Sequence, residues 1–471
     1  MTDAAGLGAI DDRGARVWFR LPIAGEVTAT LRVEGHDPVT ASTRVTADTD
    51  WTGVLTPRLA EPAPDMPFTV EVAGRTLAGR LAPSLGTHAG LTFGFGSCHM
   101  PFVDFAEDSD AIRVSDHARG LYPAMRNELL EARARLLLLT GDQIYADEEP
   151  GISVRDDLDG NSQHPPPLEQ VLAAYRRNYH GFFNETGYRA LLDTFPTVMM
   201  WDDHDIYDNW GSMRKRTPLD DRLFDAASRT FVEYQQGRNP ENGGTTPPFT
   251  WTMAHGDIGF LALDLRGARD PANGTMLGTE QWERITSYLN GDESREVRTL
   301  FVVASVPIAH VSRWFTTVFD LFPERYVGSV KDRWTVRRFI ASRDALLDAL
   351  FAWESKRPER QVILLSGDVH SASAFTIRQR GGPGVIQQVT SSAFSTPFIW
   401  KQLFFNRLVV QAPNLLEPRY RFERHFLSLT HNYGIARVEP LPSGGHRVVI
   451  TIRAWNERTR TLRTAGRIVT P

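Results

Sequence analysis

A chain of 471 residues exceeds a typical single core, so two domains are expected, with length enough to bury one large sheet. A formal charge of −5 leaves no basic footprint for nucleic acid, and a single cysteine excludes an internal disulfide. No apolar run approaches the roughly 18 residues a spanning helix needs, and Met1-Thr2-Asp3-Ala4 opens without a basic or apolar leader, so a soluble, cytoplasmic protein is expected.

Residues 1–85 alternate as strands do, with Val27, Ala29, Leu31 and Val33 set against Thr28, Thr30 and Arg32, and again at Phe68, Val70 and Val72. Turns at Ala24-Gly25 and Ala73-Gly74 complete the pattern of a small β-sandwich, and 83–90, PSLGTHAG, reads as a linker. A second domain, 90–471, opens with the strand Leu91–Phe95 ending in Gly96-Ser97-Cys98-His99, then a helix over about 121–132 and a buried strand at 136–139. This strand-helix-strand order predicts an α/β sheet. A surface excursion at 148–167, a helix over 168–192, strands at 198–201, 249–253 and 259–265, and a helix near 280–289 follow. Beyond them the pattern predicts a strand at 300–306, a helix at 344–353 and a strand at 362–365, then strands at 385–389, 434–438 and 446–455, with Ser443-Gly444-Gly445 as a hairpin turn. Two aromatic-rich segments, 314–326 and 398–405, read as helix faces in the core or as a wall over a substrate pocket.

Three apolar strands run directly into acidic turns. LLLTGDQIYAD at 137–147 presents Asp142, Tyr145 and Asp147; Val198–Trp201 runs into Asp202-Asp203-His204-Asp205, with Asp208 beyond; Val362–Leu365 runs into Ser366-Gly367-Asp368-Val369-His370. Strand carboxyl ends are where open α/β sheets hold ligands, so the three turns meet at one point if their strands sit close in one sheet. Carboxylates gathered there repel and are costly to desolvate, which calls for bound cations or raised pKa values. On the metal reading, Asp142 bridges two ions, Asp203 and the Asp368/His370 pair complete them, and Cys98 adds a thiolate. Thiolate and imidazole suit iron or zinc, whereas an all-oxygen half suits calcium, magnesium or manganese. His204 is the candidate to protonate a leaving oxygen or hydrogen-bond a phosphate.

GSCHM at 96–100, GDQIYAD at 141–147, WDDHDIYDNW at 201–210, LDLR at 263–266 and SGDVHS at 366–371 resemble the PhoD-like phosphatases of the metallophosphoesterase superfamily. That resemblance implies a four-layer αββα sandwich behind an N-terminal β-sandwich domain, and hydrolysis of a phosphoester substrate by an Fe3+ and Ca2+ centre. It implies Cys98, Asp142, Tyr145 and Asp368 or His370 around iron, and Asp142, Asp203 and the other member of the 368/370 pair around the second cation. In the wider superfamily Asn stands where this chain has Asp203, so Mn2+, Zn2+ or Mg2+ are alternatives at the second position. His204 is implied to contact phosphate, and Asn209 and Arg266 match family motif positions and join it as catalytic candidates.

Other chemistries fit less well. No Arg follows Cys98 before Arg113, so a cysteine-phosphatase loop lacks its cation, and neither a Gly-x-Ser-x-Gly elbow nor a Walker loop is present. The runners-up are a phosphodiesterase or phospholipase-D-like hydrolase on the same metals, and a non-catalytic phosphate- or metal-binding protein.

Overall fold

The computed structural model describes residues 3–23, 25–103, 113–147, 154, 164–212, 216–322, 330–396, 404 and 407–470. The alternation at 27–33 becomes a strand, Gly25–Val33, that buries Ala29, Leu31 and Val33 and leaves Thr28 and Arg32 exposed. It belongs to a four-stranded antiparallel sheet with Val39–Val45, Pro67–Val72 and Arg75–Arg80; Ala4–Ile10, Ala15–Arg20 and Thr52–Leu55 form a three-stranded one. Both contribute to one apolar cluster that includes Val17, Phe19, Leu31, Phe68 and Val70.

Two larger sheets carry the rest. A six-stranded sheet runs Thr197–Met200, Leu136–Thr140, Leu91–Gly96, Asn432–Leu441, Gly445–Asn456, Thr461–Val469. Its first three strands are parallel, and the C-terminal strands add on antiparallel. A seven-stranded sheet runs Trp251–His255, Ile258–Leu263, Thr299–Ala304, Gln361–Ser366, Val385–Thr390, Ala372–Gln379, Tyr420–Ser428. The acidic-ended strands therefore do not share one sheet: those at 136 and 197 are neighbours, whereas that at 361 lies in the other sheet. An apolar run buried on both faces looks the same in either sheet, so sequence alone does not separate them.

Alternate side chains of these strands serve different cores. Leu136, Leu138, Val198 and Met200 join Phe93 and Phe95 in a cluster with Phe260, Phe301, Ile363 and Leu365 of the seven-stranded sheet. Leu137, Leu139 and Met199 pack instead with Leu121, Met125, Leu129, Tyr175 and Phe231 of helices Asp116–Glu131, Leu168–Phe183 and Pro218–Tyr234. On the seven-stranded sheet Leu261, Leu263, Val302 and Leu364 meet Ile285 of Gly278–Asn290 and Leu346 and Leu350 of Ile340–Glu354. This two-sided burial is why the strands are apolar throughout.

Several elements differ from the sequence reading. The expected helix over 168–192 is two, Leu168–Phe183 and Thr186–Thr194, because the Glu185 side chain accepts the N–H groups of Gly187 and Tyr188 and starts a new helix. Helix Asp116–Glu131 begins before the expected 121, capped by Ser115. Helix Pro218–Tyr234 and strands Ala372–Gln379, Tyr420–Ser428 and Thr461–Val469 were not expected at all. Of the aromatic segments, Arg313–Phe319 is helical and buries Phe315 with Val311, Val330, Val409 and Val410, while Leu321, Phe322 and Phe404 are exposed. Positions 323–326 and, apart from Phe404, 398–405 lie outside the described residues, as does most of the 148–167 excursion. No described helix is long and apolar enough to cross a membrane.

Candidate metal centre

The two sheets bring their strand ends together at glycines. A Cβ on Gly141 would lie 2.8 Å from Asp202 Cβ and 3.2 Å from Ser305 Cβ; one on Gly367 would lie 2.2 Å from Ser97 Oγ. Only glycine admits these approaches, which join the turns at 97, 141, 202, 305 and 367. Beyond them Cys98, Asp142, Asn209, Asp368 and His370 take positive φ of 62°, 54°, 57°, 64° and 50°. Left-handed backbone at non-glycine residues is costly and gathers where side chains must be aimed.

The aimed side chains converge. Cys98 Sγ is 3.2 Å from Asp142 Oδ2 and 3.0 Å from Ser392 Oγ. One carboxylate oxygen each of Asp142, Asp202 and Asp203 lies within 4.8 Å of the others, and the same holds for Asp203, Asp332 and Asp368, so Asp203 links the acidic turns of both sheets. Tyr145 Oη is 3.4 Å from His370 Nε2 and 2.9 Å from Thr396 Oγ1, and the His370 N–H donates to Ser392 Oγ at 2.8 Å. Of the six residues expected as ligands, Cys98, Asp142, Asp203 and Asp368 are thus brought together directly, whereas Tyr145 and His370 contact each other and reach Cys98 through Ser392 Oγ.

Asp205, read in sequence as one of the gathered acids, serves the backbone instead. Its carboxylate accepts the N–H groups of Asp142, Gln143 and Asp202 at 3.0, 3.2 and 2.8 Å, tying two acidic turns together. Burial pushes its pKa up to about 7 although these hydrogen bonds pull it down.

The electrostatics of the cluster are those of a site built for cations. Asp142 Oδ1, Asp202 Oδ2 and Asp203 Oδ1 are buried and make no hydrogen bond. Burial, then the neighbouring Cys98, Asp202 and Asp203, drives the Asp142 pKa well above the carboxylate range. Burial likewise raises the Cys98 thiol. Asp203 goes the other way: burial opposes its ionisation, but Arg266 and then His204 hold it below the usual range. Buried carboxylate oxygens without hydrogen-bond donors fit hard cations, and the thiol, phenol and imidazole beside them fit a transition metal.

Around this set stand the residues expected to meet substrate. His204 Nδ1 bonds Asp147 Oδ1 at 2.8 Å; burial would lower its pKa, yet Asp147, Asp203 and Asp142 raise it well above the ordinary value. The Asn209 N–H donates to Asp203 Oδ2 at 2.8 Å and its side chain to Asp208 at 2.6 Å. Arg266 has no exposed surface: Nε pairs with Asp202, Nη1 bonds Trp210 O and Asp332, and Nη2 lies 3.3 Å from Asp203. Its place is behind the carboxylates rather than in front of them. No sequence signal marked Asp332, which is buried with Arg266, or Arg333, which stands at the rim and pairs with Asp368.

Residues 112–414 match the family model described as PhoD-like phosphatase. No curated protein matches the chain. Among solved structures, that of PhoD superposes with a TM-score of 0.64 at 15% identity, covering 98% of this chain and 91% of that one. A purple acid phosphatase isolated from yellow lupin (Lupinus luteus) seeds gives a TM-score of 0.56 at 11% identity, covering 99% of this chain and 73% of that one. At these identities the likeness is one of fold.

Proposed function

The chain belongs to the PhoD-like phosphatases, hydrolases of phosphate esters, and from that premise we propose that the cluster joining its two large sheets holds a binuclear metal centre for this reaction. What carries the reading is the set of buried carboxylate oxygens on Asp142, Asp202 and Asp203 that make no hydrogen bond although Cys98 and further acids stand beside them. Cys98, Asp142, Tyr145 and one of Asp368 and His370 would hold Fe3+. Asp142, Asp203 and the other of that pair would hold Ca2+, or Mn2+, Zn2+ or Mg2+ in its place. When bound, such a pair supplies Lewis acidity at the phosphoryl oxygens and lowers the pKa of water towards about 7.

The chain's own groups do the rest. As the bond from water to phosphorus forms, the bond to the leaving oxygen breaks, and His204 gives that oxygen a proton from Nε2 while Asp147 holds Nδ1. Arg333, beside Asp368 at the rim, is the cation placed to meet the phosphate. Asn209 keeps the Asp203 carboxylate aimed through its backbone N–H, and Arg266 acts on it from behind as a positioning residue. For the whole chain we infer a β-sandwich over 1–85 and an αββα four-layer domain over 90–471, the order in which the core clusters occur.

Elemental analysis, a visible spectrum and turnover of aryl phosphate monoesters and diesters test this. Iron with a second cation, a charge-transfer band, and joint loss of metal and turnover in Cys98→Ala, Asp142→Asn and His370→Ala are expected. Full activity in those three variants overturns the assignment.

A further inference from the structure

A loop with no part in the chemistry so far wraps the end of Cys98. Strand Val385–Thr390 of the seven-stranded sheet runs into residues 391–396, SSAFST, all of them buried. The Phe394 N–H donates to Ser97 O at 3.0 Å, the Ser395 N–H to Cys98 O at 3.4 Å, and the Thr396 hydroxyl to the same carbonyl at 2.9 Å. Cys98 follows strand Leu91–Gly96 of the six-stranded sheet, so a loop of one sheet grips the strand end of the other.

The loop also reaches the sulfur. Ser392 Oγ lies 3.0 Å from Cys98 Sγ, and the Ala393 N–H hydrogen-bonds the same atom. Ala393 takes a φ of 70°, a left-handed backbone that is costly for a residue with a Cβ, and in that conformation its N–H meets the sulfur. On its other side Ser392 Oγ accepts the His370 N–H at 2.8 Å. A metal-bound sulfur carries no hydrogen, so in the 3.0 Å contact the serine hydroxyl is the donor, with one lone pair already taken by His370. The thiol hydrogen is directed instead at Asp142 Oδ2, 3.2 Å away, so an ion held by both residues replaces that hydrogen and leaves the Ser392 bond in place. Asn432 fixes the loop from behind: its amide donates to Ser392 O, and its Oδ1 accepts the Ser391 hydroxyl at 2.9 Å.

We propose that Ser392 is a positioning residue of the metal centre: its hydroxyl donates to the Cys98 sulfur while the His370 N–H holds that hydroxyl in place, so one side chain sets two expected ligands from different sheets against each other. The role presupposes iron on Cys98, the assignment made for the centre itself. Hydrogen bonds to a ligand sulfur draw charge from it and tune the iron–sulfur bond. Partners that orient metal ligands in this way contribute about 10–100-fold to metal affinity.

Full-length protein loaded with Fe3+ in H2O and in D2O tests this through two readouts: iron retained on dialysis against increasing chelator, and the iron–sulfur stretch seen by resonance Raman spectroscopy. Deuterium on a donor to the sulfur shifts that stretch, whereas a hydroxyl that only fills space does not. Wild type shifts in D2O. Ser392→Ala shifts less and releases iron at roughly 10–100-fold lower chelator concentration, and Ser392→Thr, which keeps a hydroxyl, restores both. Ser391→Ala, which removes the neighbouring hydroxyl from Asn432, leaves both as in wild type. A shift of equal size in wild type and Ser392→Ala overturns the proposal, as does the absence of any shift in wild type, a measurement that needs no variant to fold; iron still bound then leaves the centre standing. Wild type that takes up no iron overturns the assignment of the centre, and this role with it.

Discussion

His204 Nδ1 lies 2.8 Å from Asp147 Oδ1, and the same imidazole stacks on Tyr145 with ring centroids 4.3 Å apart. The carboxylate fixes which nitrogen points away, and the phenol ring fixes the plane, so Nε2 turns towards the acidic cluster, 3.9 Å from Asp208 Oδ1. On the proposed reading this nitrogen gives its proton to the leaving oxygen and holds no metal.

His204→Ala should therefore lower kcat by about 10²–10⁴-fold with metal content unchanged. Asp147→Ala should give a smaller loss in the same direction, and no further loss when combined with His204→Ala. Metal content and kcat measured on the single and double variants check this. Loss of metal in His204→Ala would place the histidine among the ligands instead.

Arg333 meets Asp368 at the rim of the cluster and also stands 3.9 Å from Asp332. A guanidinium there either neutralises carboxylates or receives a phosphate. Charge-assisted hydrogen bonds contribute about 1.5–3 kcal/mol, so Arg333→Ala should raise KM for phosphate esters, and weaken inhibition by inorganic phosphate, by roughly 10–100-fold. Lys at this position should restore little, because it lacks the planar fork. Unchanged KM and phosphate inhibition would confine Arg333 to its carboxylate partner.

How far the centre could be read from sequence depends on what kind of feature places each residue. Asp142, Asp203, Asp368 and His370 each follow an apolar run and a glycine or aromatic stop, and that local signature survives in a single chain. The pairing of strands does not. The run at 361–366 is as apolar as that at 136–140, and only long-range contacts send them to different sheets. Asp332 and Arg333 arrive from a stretch with no strand end, so nothing local announced them. Helix Pro218–Tyr234 does carry a start signal in sequence: Thr217 and Asp220 cap each other reciprocally and Pro218 follows the cap. Arg266 stands in the LDLR motif at 263–266, but its partners Asp202, Asp203 and Asp332 are set by folding and not by that motif.

Arg266 has Asp202, Asp203 and Asp332 as its charge partners and is wholly buried with them. Removing one member of a buried ionic group leaves charge without compensation, at about 3–5 kcal/mol. Arg266→Met should cost that much in urea denaturation and lower metal affinity as well, since Asp203 loses its anchor. Replacing Asp332 by Asn in the Arg266→Met background should recover part of the stability. A variant as stable as wild type would show that the surrounding acids simply take up protons.

His255 offers a pH test far from the metal cluster. It ends strand Trp251–His255, is buried, and its Nε2 has no hydrogen-bond partner. Burial first, then the charge of Arg135, lowers its pKa to about 4, against about 6.5 in an unfolded chain. Above pH 6.5 both states carry a neutral ring and the shift has no effect on stability. As pH falls from 6.5 towards 4 the unfolded chain takes up a proton that the folded one refuses, so folding loses up to about 3 kcal/mol from this residue, and no more below pH 4. Other buried histidines contribute to the same trend, so the residue is isolated by difference. Urea denaturation of wild type and His255→Gln at pH 7.5 and pH 4.5 should show the variant gaining relative stability at the lower pH. A difference that stays constant between the two pH values would mean that His255 is protonated in the folded protein or that its site admits water.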